Sequence, residues 1–163
     1  MYVLGGLRSI MRQITSISDV TLPGSYFVRG PSGAIWRDFS GLPANMIERL
    51  VQRPRLSRYR AAWTGVATAG KSPIISHLPR MTAAVSRAQS LQRNHSAHMA
   101  FSFNFTDMPV GADFDRLRRA FARVDQFCVF SQYEKQFYPL YFKLPEDRFI
   151  RCLLYTSPSP RDS

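Results

Sequence analysis

Three short polar segments in this sequence contain the side chains best suited to chemistry. Each directly follows an apolar run, and together they are Ser76-His77, Asn104-Phe105-Thr106-Asp107 and Ser131-Gln132. If the apolar runs are parallel strands, their carboxyl ends meet at one edge of a sheet, where open α/β sheets bind ligands. The sequence therefore predicts a ligand site formed from these segments.

Two of these side chains are candidate catalytic residues. His77 can act as a general base or a hydrogen-bond donor near neutral pH, the alternative being a loop histidine without a chemical role. Asp107 can accept a proton from a hydroxyl or orient a sugar, the alternative being a turn or helix-cap role before Met108-Pro109.

Four further side chains are candidate substrate-binding residues because amides and hydroxyls hydrogen-bond to polar ligands. They are Asn104, Thr106, Ser131 and Gln132. The segment Ser131-Gln132-Tyr133-Glu134 also has the spacing of a capping box, which favours a helix cap over a nucleophile for Ser131.

From residue 73 onward, strand and helix patterns alternate about every 25 residues, as in repeated βαβ units. Strands are predicted at 73–76, 99–105, 127–130 and 148–151. One helix is predicted at 80–92, a second begins after an N-cap at Asp113, and a third runs from residue 131 until Pro145 stops it. The fold class expected is α/β, a Rossmann-like parallel sheet with helices on both faces, and residues 73–151 are its βα-repeat part.

Residues 1–72 are expected to be mainly helical with one strand. Helices are predicted at 7–17 and 45–51, a strand at 26–29, a turn at 30–33 and a solvated basic helix face at 55–60.

Gly65 to Ser72 matches the phosphate-loop pattern G-x-x-x-x-G-K-[ST]. In that loop, backbone N–H groups wrap phosphates between a strand and a following helix. Here Pro73 and Pro79 flank β-branched residues, so a helix after the motif is implausible. The segment is interpreted as a glycine turn leading into a strand.

Other catalytic and metal motifs are missing from the sequence. It contains no G-x-S-x-G elbow, no H-E-x-x-H and no paired cysteines, and His95 and His98 lack a third ligand. We therefore expect no metal. Cys128 is interpreted as a buried free thiol and a disulfide is not expected, which fits a reducing, cytoplasmic compartment.

The formal net charge is +11, with 19 arginines and three lysines against 11 acidic residues. This charge favours an anionic partner without choosing among nucleic acid, a membrane surface and a phosphorylated ligand. No apolar run is long enough to span a membrane, and no leader with a cleavage site is recognisable.

The last residues, 152–163, differ abruptly in character from the rest. The string Cys-Leu-Leu-Tyr-Thr-Ser-Pro-Ser-Pro-Arg-Asp resembles the in-frame translation of a common transposon-type sequencing adaptor. Residues 152–163 are therefore interpreted as a non-native or disordered tail, and the gene as cut near Arg151. A Pro-rich docking or phosphorylation segment is the alternative.

Residues 98–150 resemble the first domain of glycosyltransferases of the GT-B type, in particular the broad family 4 group. The segments that carry the resemblance are "HMAFSFNFTDMPVG" and "FARVDQFCVFSQYEKQFYPLYFKLPEDRFI", and "IISHLPRMTAAV" is similar to the strand and helix upstream in the same domain.

The resemblance implies an acceptor domain whose donor-binding partner domain is missing. The parent enzyme would transfer a sugar from a nucleotide-sugar donor to a hydroxyl of a sugar or lipid-linked acceptor, without a cofactor of its own. The fragment alone would be inactive, and the basic domain would dock on anionic lipid at the inner face of the membrane. No nucleic acid partner is implied.

Two other functions compete with sugar transfer. A basic module that binds nucleic acid or a membrane surface would explain the charge, although the aromatic residues follow core spacing. A phosphotransferase that uses the Gly65 to Ser72 loop ranks third.

Overall fold

The computed structural model describes residues 13–19, 35–51 and 56–152. Its strands are β1 (Gln13–Ser18), β2 (Ile35–Ser40), β3 (Ile74–His77), β4 (His98–Phe101), β5 (Gln126–Val129) and β6 (Phe149–Arg151). Its helices are α1 (Met46–Leu50), α2 (Leu56–Ala69), α3 (Pro79–Gln92), α4 (Gly111–Phe121) and α5 (Gln132–Phe142), with a 3₁₀ turn at Glu146–Arg148.

The strands of the described residues form one six-stranded sheet in the order β2-β1-β3-β4-β5-β6, and every neighbouring pair is parallel. Each parallel pair needs a crossover connection, and helices α2 to α5 supply four of them. The chain therefore has the predicted α/β, Rossmann-like fold.

The core lies between one face of the sheet and the described helices. Because strand side chains alternate between faces, Ile17 and Ile74 share this face and pack under α2 and α3. Phe127 and Phe149 continue the same face and pack under α4 and α5. The connection from β1 to β2 falls at 20–34, outside the described residues.

Phe103 anchors the loop that follows β4. Its ring is 1% exposed, and its centroid lies 4.7 Å from that of Phe127 and 4.9 Å from that of Phe121, both in edge-to-face contacts. Such pairs are favourable beyond the area they bury. The loop of polar residues directly after Phe103 is therefore anchored to the core at this residue.

The amino-terminal part departs from the prediction. Residues 13–17, expected in a helix, lie in β1, where Thr15 and Ile17 face the core. Helix α1 confirms the predicted helix at 45–51, with Asn45 as its N-cap. The predicted strand at 26–29, the turn at 30–33 and the tail from residue 153 lie outside the described residues.

One of the two predicted helix starts needs correction. Helix α4 begins at Gly111 with Val110 as N-cap, so Asp113 lies inside the first turn and does not cap it. Its carboxylate instead accepts a hydrogen bond from Arg80 at 3.2 Å. The capping box at Ser131 is confirmed.

The phosphate-loop pattern begins inside a helix and precedes a strand, which is the reverse of the order that a phosphate loop requires. Gly65 is inside helix α2, Gly70 turns the chain at φ +59°, and the segment leads into β3. Residues 60–64, directly before the pattern, are helical. A phosphate loop needs a strand before it and a helix after it, so the interpretation as a turn is supported.

The expectation of a free thiol at Cys128 is wrong. Cys128 and Cys152 form a disulfide with their Cα atoms 5.9 Å apart. Parallel pairing sets Cys128 opposite Ile150, so Cys152, two residues further along, returns to the same face of the sheet. Among the residues described, no helix is long and apolar enough to cross a membrane.

Candidate functional site

An open cleft of about 250 Å³ lies at the carboxyl edge of the sheet, over the ends of β1, β3 and β4. We call it the strand-end cleft; it is lined by Asp19, Leu78, Pro79, Arg80, Asn104, Phe105, Thr106, Asp107 and Pro109. Three of the residues predicted from the sequence, Asn104, Thr106 and Asp107, thus come together in one cleft.

The loop that carries these three residues is held from helix α5. The backbone N–H of Phe105 donates to the Tyr138 hydroxyl at 3.3 Å, and the Tyr141 hydroxyl donates to the Pro109 carbonyl at 2.6 Å. Asn104, Thr106 and Asp107 are nevertheless exposed. Their amide, hydroxyl and carboxylate groups can therefore meet a ligand from solvent.

The opposite wall of the cleft is charged. Asp19 follows β1, and its carboxylate is held by Arg58 of α2 with an Nη2–Oδ2 distance of 2.7 Å. Arg80 lies in the first turn of α3, which has no side-chain cap, so the positive end of the helix dipole lies at the cleft. The cleft thus combines hydrogen-bond donors with the carboxylate of Asp107, for which the structure gives no ion pair among the described residues.

Leu78, which links β3 to α3, has φ +70° and ψ 144°. A branched side chain rarely adopts this left-handed region, and such strain tends to occur beside binding sites. Leu78 directly precedes α3, so its backbone conformation sets the direction in which α3 leaves the sheet. The residue also lines the cleft.

His77 does not line the strand-end cleft. It ends β3 on the second face of the sheet, is 4% exposed, and its Nε2 lies 3.4 Å from the Ser16 hydroxyl. Burial lowers its pKa, and the Asp38 carboxylate partly opposes that shift. His77 and Asp107, the two candidate catalytic residues, therefore do not face a common ligand here.

Ser131 and Gln132 do not line the cleft either. The Ser131 hydroxyl accepts from the Glu134 N–H at 3.0 Å, and the Glu134 carboxylate accepts from the Ser131 N–H at 2.9 Å. The hydroxyl is thus engaged in the capping box, as the sequence pattern favoured. Gln132 is exposed at the first position of α5.

His98, one of the two histidines without a third metal ligand in the sequence, lies in the core. His98 is only 1% exposed in β4, and its Nε2 lies 2.8 Å from the Ser76 hydroxyl. Burial lowers the pKa of His98 to about 3. In the described ranges, no three His, Cys, Asp or Glu side chains are grouped so that they could hold a metal ion.

Sequence reasoning missed three residues of the cleft region, Asp19, Arg58 and Arg80. Asp19 was missed because the strand before it was assigned to a helix. The β-branched residues Ile14, Thr15 and Ile17 were a weak local signal for that strand. The ion pair that Arg58 makes joins residues 39 positions apart and has no local signal.

Larger grooves lie at the opposite, amino edge of the sheet. They measure about 480 and about 600 Å³ and share Arg93, Asn94, His95 and Ser96. Parallel sheets bind ligands beyond the carboxyl ends of their strands, so the smaller strand-end cleft is the better ligand site.

No protein-family model matches this chain, and a comparison with curated proteins finds no match either.

Proposed function

We propose that this chain is the acceptor-side domain of a glycosyltransferase that moves a sugar from a nucleotide-sugar donor to a hydroxyl. The observation that carries the proposal is the strand-end cleft, in which Asn104, Thr106 and Asp107 present an amide, a hydroxyl and a carboxylate on a loop held by α5. These groups are suited to a polyhydroxylated acceptor, which offers both donors and acceptors.

The chemistry assigned to the cleft is the acceptance of one proton and the orientation of the acceptor. As the acceptor oxygen bonds to the anomeric carbon, the nucleoside diphosphate leaves with the bonding electron pair, and the hydroxyl proton passes to the Asp107 carboxylate. Asn104 and Thr106 orient the acceptor. In this proposal the donor is bound by a second domain encoded beyond residue 151, as the resemblance implies.

Acceptor binding can be tested without the donor. ¹⁵N–¹H spectra are recorded while mono- and disaccharides are added, and shifts are expected first at residues 104–107. The double variant Asn104→Ala and Thr106→Ala should lose them. Thr68→Ala is the matched control, because Thr68 is exposed on α2 and its hydroxyl donates to the Thr64 carbonyl at 2.8 Å. Shifts that persist in the double variant would refute the cleft assignment.

The second domain can be tested in the source DNA. Reading the gene beyond the codon for Arg151 should reveal a further βα-rich domain with an acidic pair near a glycine turn. A stop codon soon after that position argues against a glycosyltransferase.

The second candidate function is a basic module that binds an anionic partner, and a separate observation favours it. A groove of about 250 Å³ between α3 and α4 is lined by Arg87, Arg116, Arg119 and Arg123. Within the described residues none of these four arginines forms an ion pair. Uncompensated cations in a groove attract anions.

A further inference from the structure

The arginine-lined groove between α3 and α4 continues into the two grooves at the amino edge of the sheet. It shares Ser90 and Arg123 with the groove of about 480 Å³, which in turn shares Arg93 and His95 with the groove of about 600 Å³. The first and the last groove have no lining residue in common, so the three lie in line. We call this continuous surface the basic track.

The charges of the basic track are strongly unbalanced. Its cations are Lys71, Arg87, Arg93, Arg116, Arg119 and Arg123, and its only carboxylate among the described residues is Asp125. Like the four arginines of the groove between α3 and α4, Lys71 and Arg93 form no ion pair with a described residue. The cations are therefore available to an anionic partner.

Helix ends balance only a small part of this charge. Helices α2, α3 and α4 end at the amino edge because they connect parallel strands, and the carboxyl end of a helix attracts cations. Each such end carries about half a negative charge, so the three ends together supply about 1.5 negative charges. Stabilisation of helix ends does not account for the remaining cations.

Hydrogen bonds between its elements fix the framework under the basic track. The Ser86 hydroxyl of α3 donates to the Ala120 carbonyl of α4 at 2.6 Å. The Ser96 hydroxyl and the Asn94 amide donate to the Gly70 carbonyl, at 2.6 and 2.9 Å, which ties the segment after α3 to the end of α2. The backbone segments that carry the cations therefore keep a constant spacing.

The length of the basic track suits an extended polyanion. Arg116 and Arg123 are seven residues apart along α4 and the turn after it, which is about 10 Å at the helical rise. The step from α3 to α2, which pack against each other, adds about 8–10 Å. The track is thus about 20 Å long, a length that holds about six phosphates of each strand of a nucleic acid duplex. A single phosphate group would contact only part of it.

The side chains between the cations favour the backbone of a duplex over other polyanions. Among the described residues, the lining contains no Phe, Tyr or Trp on which an unpaired base could stack. Apart from Val66, it contains no apolar side chain larger than alanine, whereas protein interfaces and membrane surfaces use apolar anchors. Arginine guanidinium groups, by contrast, bind phosphate oxygens in pairs of parallel hydrogen bonds.

We propose that the basic track binds the phosphate backbone of a nucleic acid duplex without reading its bases. The arginines of α3 and α4 contact successive phosphates of one strand, and Arg93 and Lys71 extend that row to the end of α2. The inference rests on the second candidate function, which it deepens by naming the partner and the surface. It is independent of sugar transfer, because the strand-end cleft lies at the opposite edge of the sheet.

Fluorescence anisotropy of a labelled duplex of about 20 base pairs, titrated with the full chain, tests the proposal. The wild type is compared with the track variant, Arg119→Gln and Arg123→Gln. The matched control is Arg49→Gln and Arg151→Gln, which removes two exposed arginines outside the track and lowers the net charge equally. The ligands are two duplexes of unrelated sequence, one of their single strands, and inorganic polyphosphate. Circular dichroism checks that all three proteins are folded.

The wild type and the control should bind both duplexes equally well and the single strand less tightly. The logarithm of their association constant should fall with the logarithm of the salt concentration with a slope of about −5. The track variant should have a slope smaller in magnitude by about 2 and should bind about fiftyfold more weakly at about 0.1 M salt.

The proposal is overturned if the control loses as much affinity as the track variant, or if the single strand binds as tightly as the duplexes. Binding of polyphosphate without binding of either duplex would overturn the inference and keep the second candidate function. Failure of every ligand to bind would remove that function as well. Saccharide shifts at residues 104–107 report on sugar transfer separately.

Discussion

The guanidinium of Arg58 and the carboxylate of Asp19 form a largely buried ion pair that joins the start of α2 to the end of β1. Arg58 Nε donates to both carboxylate oxygens, at 3.0 and 2.8 Å, and the side chains are 15% and 6% exposed. Since Asp19 lines the strand-end cleft, the pair holds one wall of the cleft in place. It also occupies the Asp19 carboxylate, whereas Asp107 has no ion pair among the described residues.

Breaking this pair should destabilise the fold. Arg58→Ala leaves a buried carboxylate without its partner, so the free energy of unfolding should fall by about 3 kcal/mol. Arg80→Ala removes an ion pair whose side chains are 61% and 32% exposed and should cost less than about 1 kcal/mol. Urea unfolding compares the two, and equal losses would contradict the assigned role of Arg58.

His98 should make stability fall in acid. Its pKa is about 3 in the folded chain because burial disfavours the imidazolium, and near 6.5 when the chain is unfolded. The unfolded state therefore binds more protons below pH 6.5, and stability is lost as the pH falls from there towards 3. At pH 5 the loss is about 2 kcal/mol. Burial lowers the pKa of His77 in the same direction.

The matched variant is His98→Leu, which removes the titrating group. Ser76 then still has the Thr82 hydroxyl 2.9 Å away. Between pH 6.5 and 5, urea midpoints of this variant should change less than those of the wild type. Parallel pH profiles would show that His98 does not carry the acid sensitivity.

The two glycines of the phosphate-loop pattern should behave as structural residues. A Cβ at Gly65 would lie 2.5 Å from Ile17 Cδ1 and 2.9 Å from its Cγ1, so Gly65→Ala should lower the free energy of unfolding by about 2 kcal/mol. At Gly70 no atom lies within 4 Å of an added Cβ, and φ is +59°. Gly70→Ala should therefore cost about 1 kcal/mol, through backbone strain alone.

Lys71→Ala distinguishes this account from nucleotide binding. Isothermal titration with ATP should give the same result for the wild type and for Lys71→Ala. ATP binding that Lys71→Ala abolishes would restore the phosphotransferase hypothesis.

Ser131 should contribute to stability and not to saccharide binding. Ser131→Ala removes the hydroxyl that accepts from the Glu134 N–H and keeps the backbone N–H that donates to the Glu134 carboxylate, so the free energy of unfolding should fall by about 1 kcal/mol. Gln132→Ala, next to it on the surface, should have little effect on unfolding. If Ser131→Ala instead weakens the saccharide-induced shifts with unchanged stability, the hydroxyl binds substrate after all.

The elements after residue 73 could be predicted because local signals agree there. The helix at 80–92 has clear hydrophobic spacing, and the helix after Ser131 begins with a capping box, so spacing and cap point to one structure. The strand at 13–18 was missed because its short run, Gln-Ile-Thr-Ser-Ile-Ser, has weak apolar content and gains its burial only from α2 and the neighbouring strands. Tertiary contacts there override local pattern.

Part of the candidate site could also be predicted from the sequence, and part could not. Asn104, Thr106 and Asp107 could be located from the sequence because they directly follow an apolar run, and the parallel sheet brings that end to the ligand edge. The sequence could not show that His77 lies apart from these three residues, because the face of the sheet on which a strand-end side chain lies depends on the register of the strand.

The sequence by itself determined the fold class, since the alternation of strands and helices permits few topologies other than a parallel sheet. Only the tertiary structure decided which side chains meet: Arg58 with Asp19, Cys128 with Cys152, and the loop after β4 with Tyr138 and Tyr141. These contacts join residues far apart in the chain. Local periodicity records which side of an element is apolar, whereas strand order and register determine what that side touches.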